Sequence, residues 1–335
     1  MRAPGLWALA WRRLRADRLA MASLAVVLAF LLMTALSATG LIVADWADEV
    51  GVNYAPPSLI GASAAMVAPA TPRQALPDNP FDPLADDVRA LRAQLATGEG
   101  GVAAGAGRLA TLPFGADKWG HDILKKTIKG GQTSIVVGLV AALLAVRIGT
   151  VFGALSGYCG GVVDDFFNWF YSVFTAIPSV LMILAVAAVL QQKGVLTIVL
   201  ILGLTGWTGP YRLMRAEYLK HKAREYVLAA DAIGASHWRR MFVHIFPNTS
   251  HVALVQLSIL VVGFIKAEVI LSFLGFGVPA GVVSWGSMLN EAQGELLLGR
   301  WWQLAAAAAA MALLVTAFSL FTDALRDALD PKVKT

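Results

Sequence analysis

The feature that most constrains this chain is a set of six long apolar runs, at residues 19–43, 133–157, 166–190, 194–211, 252–276 and 301–322. The first, third, fourth and sixth contain no Asp, Glu, Lys or Arg; the second holds only Arg147, and the fifth only Lys266 and Glu268. About 20 mostly apolar residues cross the ~30 Å of bilayer hydrocarbon as a helix, and a lipid-exposed backbone must satisfy its own hydrogen bonds. Barrel strands would alternate at every second residue, and these runs do not. The pattern therefore predicts an all-α polytopic membrane protein with six transmembrane helices. Composition agrees: of 335 residues 57% are hydrophobic and 15% charged, whereas soluble domains carry about 25% charged residues. Arg12, Arg13, Arg15 and Arg18 precede the first run, which is too long for a signal-peptide core of about 7–15 residues and reads as a retained anchor.

Lys and Arg outside the runs give an orientation. Residues 1–18 hold five, 212–247 seven and 323–335 three, against eight bases and ten acids in 44–132. Both termini and the 212–247 loop are thus expected in the cytoplasm. The formal net charge of +5 becomes a matter of membrane orientation, with no nucleic-acid partner needed. Asp164 and Asp165, in what reads as a short internal loop beside Cys159, are the exception. The organisation expected is a cytoplasmic tail (1–18), transmembrane helix 1 (19–43), an extracytoplasmic segment (44–132), a core with helices 2–6 (133–322) and a cytoplasmic tail (323–335). Within 44–132 the Pro, Ala and Gly content predicts loop with at most a short helix at 86–95. Residues 117–129 set Trp119, Ile123, Leu124 and Ile128 among four lysines, the pattern of a short helix lying at the interface.

The 212–247 loop is the most informative part. Tyr226, Ala229, Ala230 and Ile233 recur at three- and four-residue spacing and define one helical stripe. Gly234 follows where a left-handed residue commonly ends a helix. Ser236 is of N-cap type for a second short helix, with Trp238, Met241, Phe242 and Ile245 as its apolar side and Pro247 as its stop. The expected product is a compact helix-turn-helix; an ordinary amphipathic linker is the plainer alternative.

In this form the loop resembles the EAA loop of ATP-binding-cassette importer permeases, in the dipeptide, oligopeptide and nickel branch. The residues that carry the resemblance are Glu225-Tyr226-Val227, Ala229-Ala230, Gly234-Ala235-Ser236 and His244-Ile245-Phe246-Pro247-Asn248. Motifs of that branch also stand in order elsewhere: Phe114-Gly115-Ala116-Asp117 with Gly120-His121-Asp122, residues 157–161 with Asp164, residues 271–277 after Glu268, Ser284-Trp285-Gly286, and residues 326–331. The chain departs from the pattern at Leu228, where the acid that names the generic loop would stand, and at Phe246, Lys118 and His121.

The resemblance implies a type I importer permease fold in the bacterial inner membrane. It implies docking of Glu225, Tyr226, Ala229, Ala230, Gly234, Ser236, Trp238, Phe242, Ile245 and Pro247 on an ATPase subunit. The partners implied are a second homologous permease, two ATPase subunits that bind ATP and magnesium, an extracytoplasmic solute-binding protein and a peptide as solute. This chain has no G-x-x-x-x-G-K-[ST] phosphate loop, so no cofactor and no enzyme activity are expected in it.

Ionisable residues inside a span are functional-site candidates by default, which marks Glu268 and Lys266 as candidates for the translocation pathway. Two residues apart, they do not share a helical face. An ion-coupled secondary carrier built on that pair is the alternative class, and the same architecture importing nickel or another small solute is the alternative cargo. A scaffold without transport is a third reading. Ser156, in Gly153-Ala154-Leu155-Ser156-Gly157, has no histidine at membrane depth and reads as a small packing residue. The five histidines show no metal-ligand spacing, and the lone Cys159 has no disulfide partner.

Overall fold

A helix of 37 residues, Ile123–Cys159, is the axis of the molecule. The computed structural model describes residues 6–61, 87, 108–279 and 281–329, and among these all regular structure is helical apart from four isolated bridges. In chain order the helices are α1 (Leu6–Ala16), α2 (Arg18–Ala38), α3 (Ile123–Cys159), α4 (Gly161–Thr175), α5 (Ser179–Leu190), α6 (Val195–Thr205), α7 (Thr208–Lys222), α8 (Glu225–Ala232), α9 (His237–Phe273), α10 (Trp285–Leu297) and α11 (Trp302–Leu329). Residues Arg240–Ile245 of α9 form a π-helical turn. The short helix expected at 86–95 lies outside the described residues.

Four helices, α2, α3, α9 and α11, are long and apolar enough to cross a membrane, and α4 with α5 makes a fifth candidate bent by 83°. The third apolar run is therefore not one straight helix. It breaks before Pro178, which lacks an N–H and disfavours helical backbone at the residue preceding it. The fourth run divides as well: α6 has 11 residues, about 17 Å at 1.5 Å per residue, and ends at Gly206. The chain resumes helix at Thr208, with Pro210 in the first turn, and continues to Lys222, through the start of the segment that reads as loop.

Two further boundaries differ from the sequence reading. Residues 117–129 do not form a separate interfacial helix: Asp122 caps α3 by accepting the Leu124 N–H at 2.8 Å, and residues 123–129 are the first turns of the axial helix. Asp164 and Asp165 lie in no loop, because α4 starts directly after the left-handed Gly160 (φ 71°). Asp164 instead takes two hydrogen bonds from Arg215, both at 2.6 Å, and so ties α4 to α7.

The packing of α3 on α7 follows from glycine at four-residue spacing. A Cβ at Gly149, Gly153 or Gly157 would stand 2.5, 2.7 and 2.6 Å from the carbonyl oxygens of Trp207, Tyr211 and Arg215. Between lipid-embedded helices, where hydrophobicity gives no net drive to associate, such close backbone approach supplies van der Waals packing. Ser156, a turn away on α3, is buried and bonded to Asp164 and to the Tyr211 hydroxyl (3.0 Å). The main core joins α3, α6, α9, α10 and α11 through residues such as Val137, Leu202, Ile265, Trp285 and Leu314. A smaller cluster packs α1 on the end of α11 through Leu14, Leu325 and Leu329.

Candidate functional site

The loop between α7 and α9 is built as the sequence proposes at its turns. Gly234 has φ +80° with open space around it, the conformation a non-glycine residue rarely takes. Ala235 N–H reaches back to the Ala230 carbonyl at 3.0 Å. Ser236 caps α9 by accepting the Arg239 N–H at 3.4 Å. The second helix does not stop at Pro247. Met241 O accepts the Phe246 N–H, a π-type bond, and Pro247 falls in the first α-helical turn after it. In a straight α-helix the proline ring would clash with the carbonyl four residues back; the widened turn relieves that clash, and α9 continues into the membrane candidate segment. Tyr218 on α7 donates its hydroxyl to the same Met241 carbonyl at 3.1 Å. Burial pushes the Tyr218 phenol above its usual pKa, with a small contribution from Tyr226, so it remains a donor.

A cluster of Tyr158, Tyr218, Val227, Met241 and Ile245 fixes this element to α3 and α7. Tyr158 bonds His237 Nδ1 at 3.1 Å, and Arg240 pairs with Asp231 at 2.5 Å, linking α9 back to α8. The inward face of α8 is Val227 and Ala230, not the full stripe read from spacing: Tyr226, Ala229 and Ile233 face outward with Glu225. Tyr226 is anchored at its hydroxyl by His221 Nδ1 at 2.8 Å. Ile245 is fully buried, Phe242 half-buried and Pro247 exposed. What remains is an apolar outer surface: Ile233 is 84% exposed, Trp238 64%, Leu228 57% and Val243 58%. Trp238 stacks on Phe242 with ring centres 5.5 Å apart, which holds the indole in one orientation. Leu228, where the generic loop has an acid, is part of this surface.

The two span charges separate as their spacing requires. Lys266 faces outward from α9, whereas Glu268 is fully buried. The Glu268 carboxylate accepts hydrogen bonds from Ser134 on α3 and Ser272 on its own helix, both 2.6 Å, and Ser134 Oγ in turn accepts the Trp285 N–H of α10 at 3.2 Å. Glu268 is thus the centre of a polar knot joining three helices, and of the two only Lys266 is free to face a neighbour.

At the opposite end from the loop lies a charged cluster that sequence reasoning did not find. Lys126, 3% exposed, donates to Asp117 (2.7 Å), Glu291 (2.6 Å) and Gln303 (3.4 Å). Asp117 also accepts the N–H groups of Trp119 and His121, at 2.8 and 3.0 Å. Burial alone would raise the Asp117 pKa, but Lys126 and these donors hold it below its usual value. Glu295, 2% exposed, has both carboxylate oxygens without a hydrogen-bond partner among the described residues. Burial, with Asp117 and Glu291 nearby, outweighs the opposing pull of Lys126 and the Lys118 backbone and raises its pKa to about 7. These groups lock the 115–122 turn to α3, α10 and α11, helped by Trp302 Nε1 on the Ala116 carbonyl at 2.8 Å.

A helical bundle with four helices long and apolar enough to cross a membrane and a structured loop at one end belongs to the class of polytopic membrane proteins. The chain matches the family described as "Binding-protein-dependent transport system inner membrane component" over residues 149–335, and it belongs to that family. Residues 5–57 match a second model, "N-terminal TM domain of oligopeptide transport permease C". Among its relatives, the dipeptide transport system permease protein of Bacillus subtilis (strain 168) is 33% identical over 325 residues, 97% of this chain and 85% of that one. The oligopeptide transport system permease protein of the same organism is 38% identical over 221 residues, 66% and 72% of the two chains. A dipeptide permease of Haemophilus influenzae is 34% identical over 255 residues, 76% and 83%. The family's members are transport components of the inner membrane, and membership carries with it an ATPase and a solute-binding protein as working partners.

Proposed function

We propose that this chain is the transmembrane permease subunit of an ATP-driven importer of di- or oligopeptides, with the names of its relatives as the basis for the cargo. In this reading it has six membrane segments in a type I fold, the bent α4–α5 pair and the α6–α7 pair supplying the third and fourth. Both termini and the α8 loop face the cytoplasm, in line with the distribution of Lys and Arg. It pairs with a second homologous permease, and two ATPase subunits bind ATP and magnesium. Residues 44–61 and 108–122 face the solute-binding protein.

The observation that carries the mechanism is the division of the α8 loop into an inner face fastened to α3 and α7 and an outer face of Leu228, Ile233 and Trp238 left open. Exposed apolar residues in a cluster mark an interaction surface. A cleft on the ATPase that closes on this surface pulls on Tyr218 and Tyr158, and so on the ends of α7 and α3, which tilts the bundle between outward and inward openings. The test is copurification of the ATPase subunits with Ile233→Asp/Trp238→Asp. Loss of the ATPases from a chain that still inserts and unfolds at the normal temperature supports the reading; normal copurification and normal uptake overturn it.

A further inference from the structure

A cleft of about 760 Å³ opens at the loop end between α7, the start of α9 and the end of α11. Its size is that of a small-molecule site. Five bases line it, Lys220, His221, Arg224, His251 and Arg326, against the single acid Glu217. Glu217 is already engaged by Lys220 at 3.2 Å and lies 3.5 Å from His221. The side chains of Arg224, His251 and Arg326 have no hydrogen-bond or ion-pair partner among the described residues. Lys220, Arg224 and Arg326 alone outweigh Glu217 by two charges at neutral pH.

The lining is graded along the helices. On α9 the polar Asn248 and His251 come first, followed deeper by Val252, Val255 and Ile259 with Gln256 as the one polar residue among them. On α7 Leu213 is the deep residue and Lys220 and His221 the shallow ones. The bases thus collect at the rim, and the largely apolar wall runs on along α9, one of the helices long and apolar enough to cross a membrane. Two other cavities lack this combination. The one between α2, α3 and α11 is lined by Phe30, Ile135 and Leu313 without a charged residue, and the one between α1 and α11 sets Asp17 and Asp327 against Arg13.

We infer that this cleft binds an anionic phospholipid, with its phosphodiester held by Lys220, Arg224 and Arg326 and an acyl chain laid along Val252, Val255 and Ile259. A phosphate group matches the free guanidinium forks, basic pockets at helix ends bind acidic lipid headgroups, and only a lipid uses the apolar wall. The local field agrees: burial lowers the His221 pKa, and Lys220, Arg224 and His251 lower it further against the pull of Glu217. The inference requires membrane insertion and does not depend on ATPase coupling.

The full-length chain in mild detergent, examined by native mass spectrometry with phosphatidylglycerol, phosphatidylcholine of the same acyl chains, or inorganic phosphate, tests it. Phosphatidylglycerol is expected to be retained about tenfold more than phosphatidylcholine, since basic residues near a lipid surface attract anionic headgroups. Lys220→Gln/Arg224→Gln/Arg326→Gln should bring the two lipids level, the single Arg326→Gln should fall between, and Arg12→Gln/Arg15→Gln should change nothing. Equal retention of both lipids by the wild-type chain, or undiminished selectivity in the triple variant with a normal unfolding temperature, overturns the inference. Displacement of phosphatidylglycerol by millimolar inorganic phosphate also overturns it, in favour of a free-anion site.

Discussion

The two ends of the bundle are held by different physics. At the loop end the buried fastening is neutral: two tyrosine hydroxyls, a π turn and a small apolar cluster hold α8 and the start of α9, with the Arg240–Asp231 pair added at the exposed side of Asp231, while the outer face stays bare. At the opposite end the fastening is ionic and buried, with Lys126 shared between Asp117 and Glu291 and Glu295 left without a partner. A neutral hydrogen bond lost costs little, whereas a buried charge stripped of its partner costs much. The comparison implies that the loop end tolerates change and carries the exchangeable contact, while the opposite end sets stability and senses pH.

The largest effect is expected at the ionic end. Lys126→Met leaves Asp117 buried without its cation and should destabilise the chain by about 3–5 kcal/mol, read as a lower unfolding temperature in detergent. Adding Asp117→Asn should recover part of the loss; no recovery would mean that the pair is not the fastening. Glu295→Gln should act in the opposite direction at high pH. Because the Glu295 pKa is raised from 4.5 to about 7, the folded state holds a proton that the unfolded chain has released, so its contribution to stability declines as pH rises through that window. The variant should flatten the decline and be the more stable protein at pH 8. Asp117, whose pKa is lowered, has the reverse sign: the stability it adds is present above its usual value and lost as pH falls below it.

At the loop end Tyr218→Phe removes one hydrogen bond to the π turn and should cost about 1 kcal/mol, with a larger proportional loss in transport than in stability. The smallest stability change is expected for Ile233→Ser, within about 0.5 kcal/mol as for other surface substitutions. Its ATPase association should nevertheless weaken, as a copurification ratio would record. If Ile233→Ser destabilised the chain as much as Lys126→Met, the contrast between the two ends would be lost.

Features set by adjacent residues were legible in the sequence. The apolar runs announced a membrane bundle, and the Gly234 turn and the Ser236 cap are decided within four residues of themselves. Pro178, which breaks the third run, was also present to be read, and length alone concealed it. Other features depend on distant partners. Lys126 looks like one of four interfacial lysines until Glu291 and Gln303, more than 160 residues on, are brought to it. Pro247 looks like a helix stop because the π turn before it is supported by Tyr218 from another helix. The outward turn of Tyr226 and Ile233 likewise follows from Val227 filling the space over Met241 and Ile245, which spacing within α8 does not reveal. Asp164 reads as a loop acid until Arg215 meets it across the glycine-lined contact of α3 with α7.

The central claim is that the open face of the α8 loop is the surface on which an ATPase closes. Its most direct test is site-specific cross-linking in membranes that contain the whole importer, with Ile233→Cys introduced into a Cys159→Ser background so that it is the chain's single thiol. A cross-link to the ATPase subunit whose yield changes on ATP addition is the expected result. A thiol at 233 that reacts freely with a soluble reagent and links to no ATPase, or that links to the solute-binding protein instead, would contradict the account.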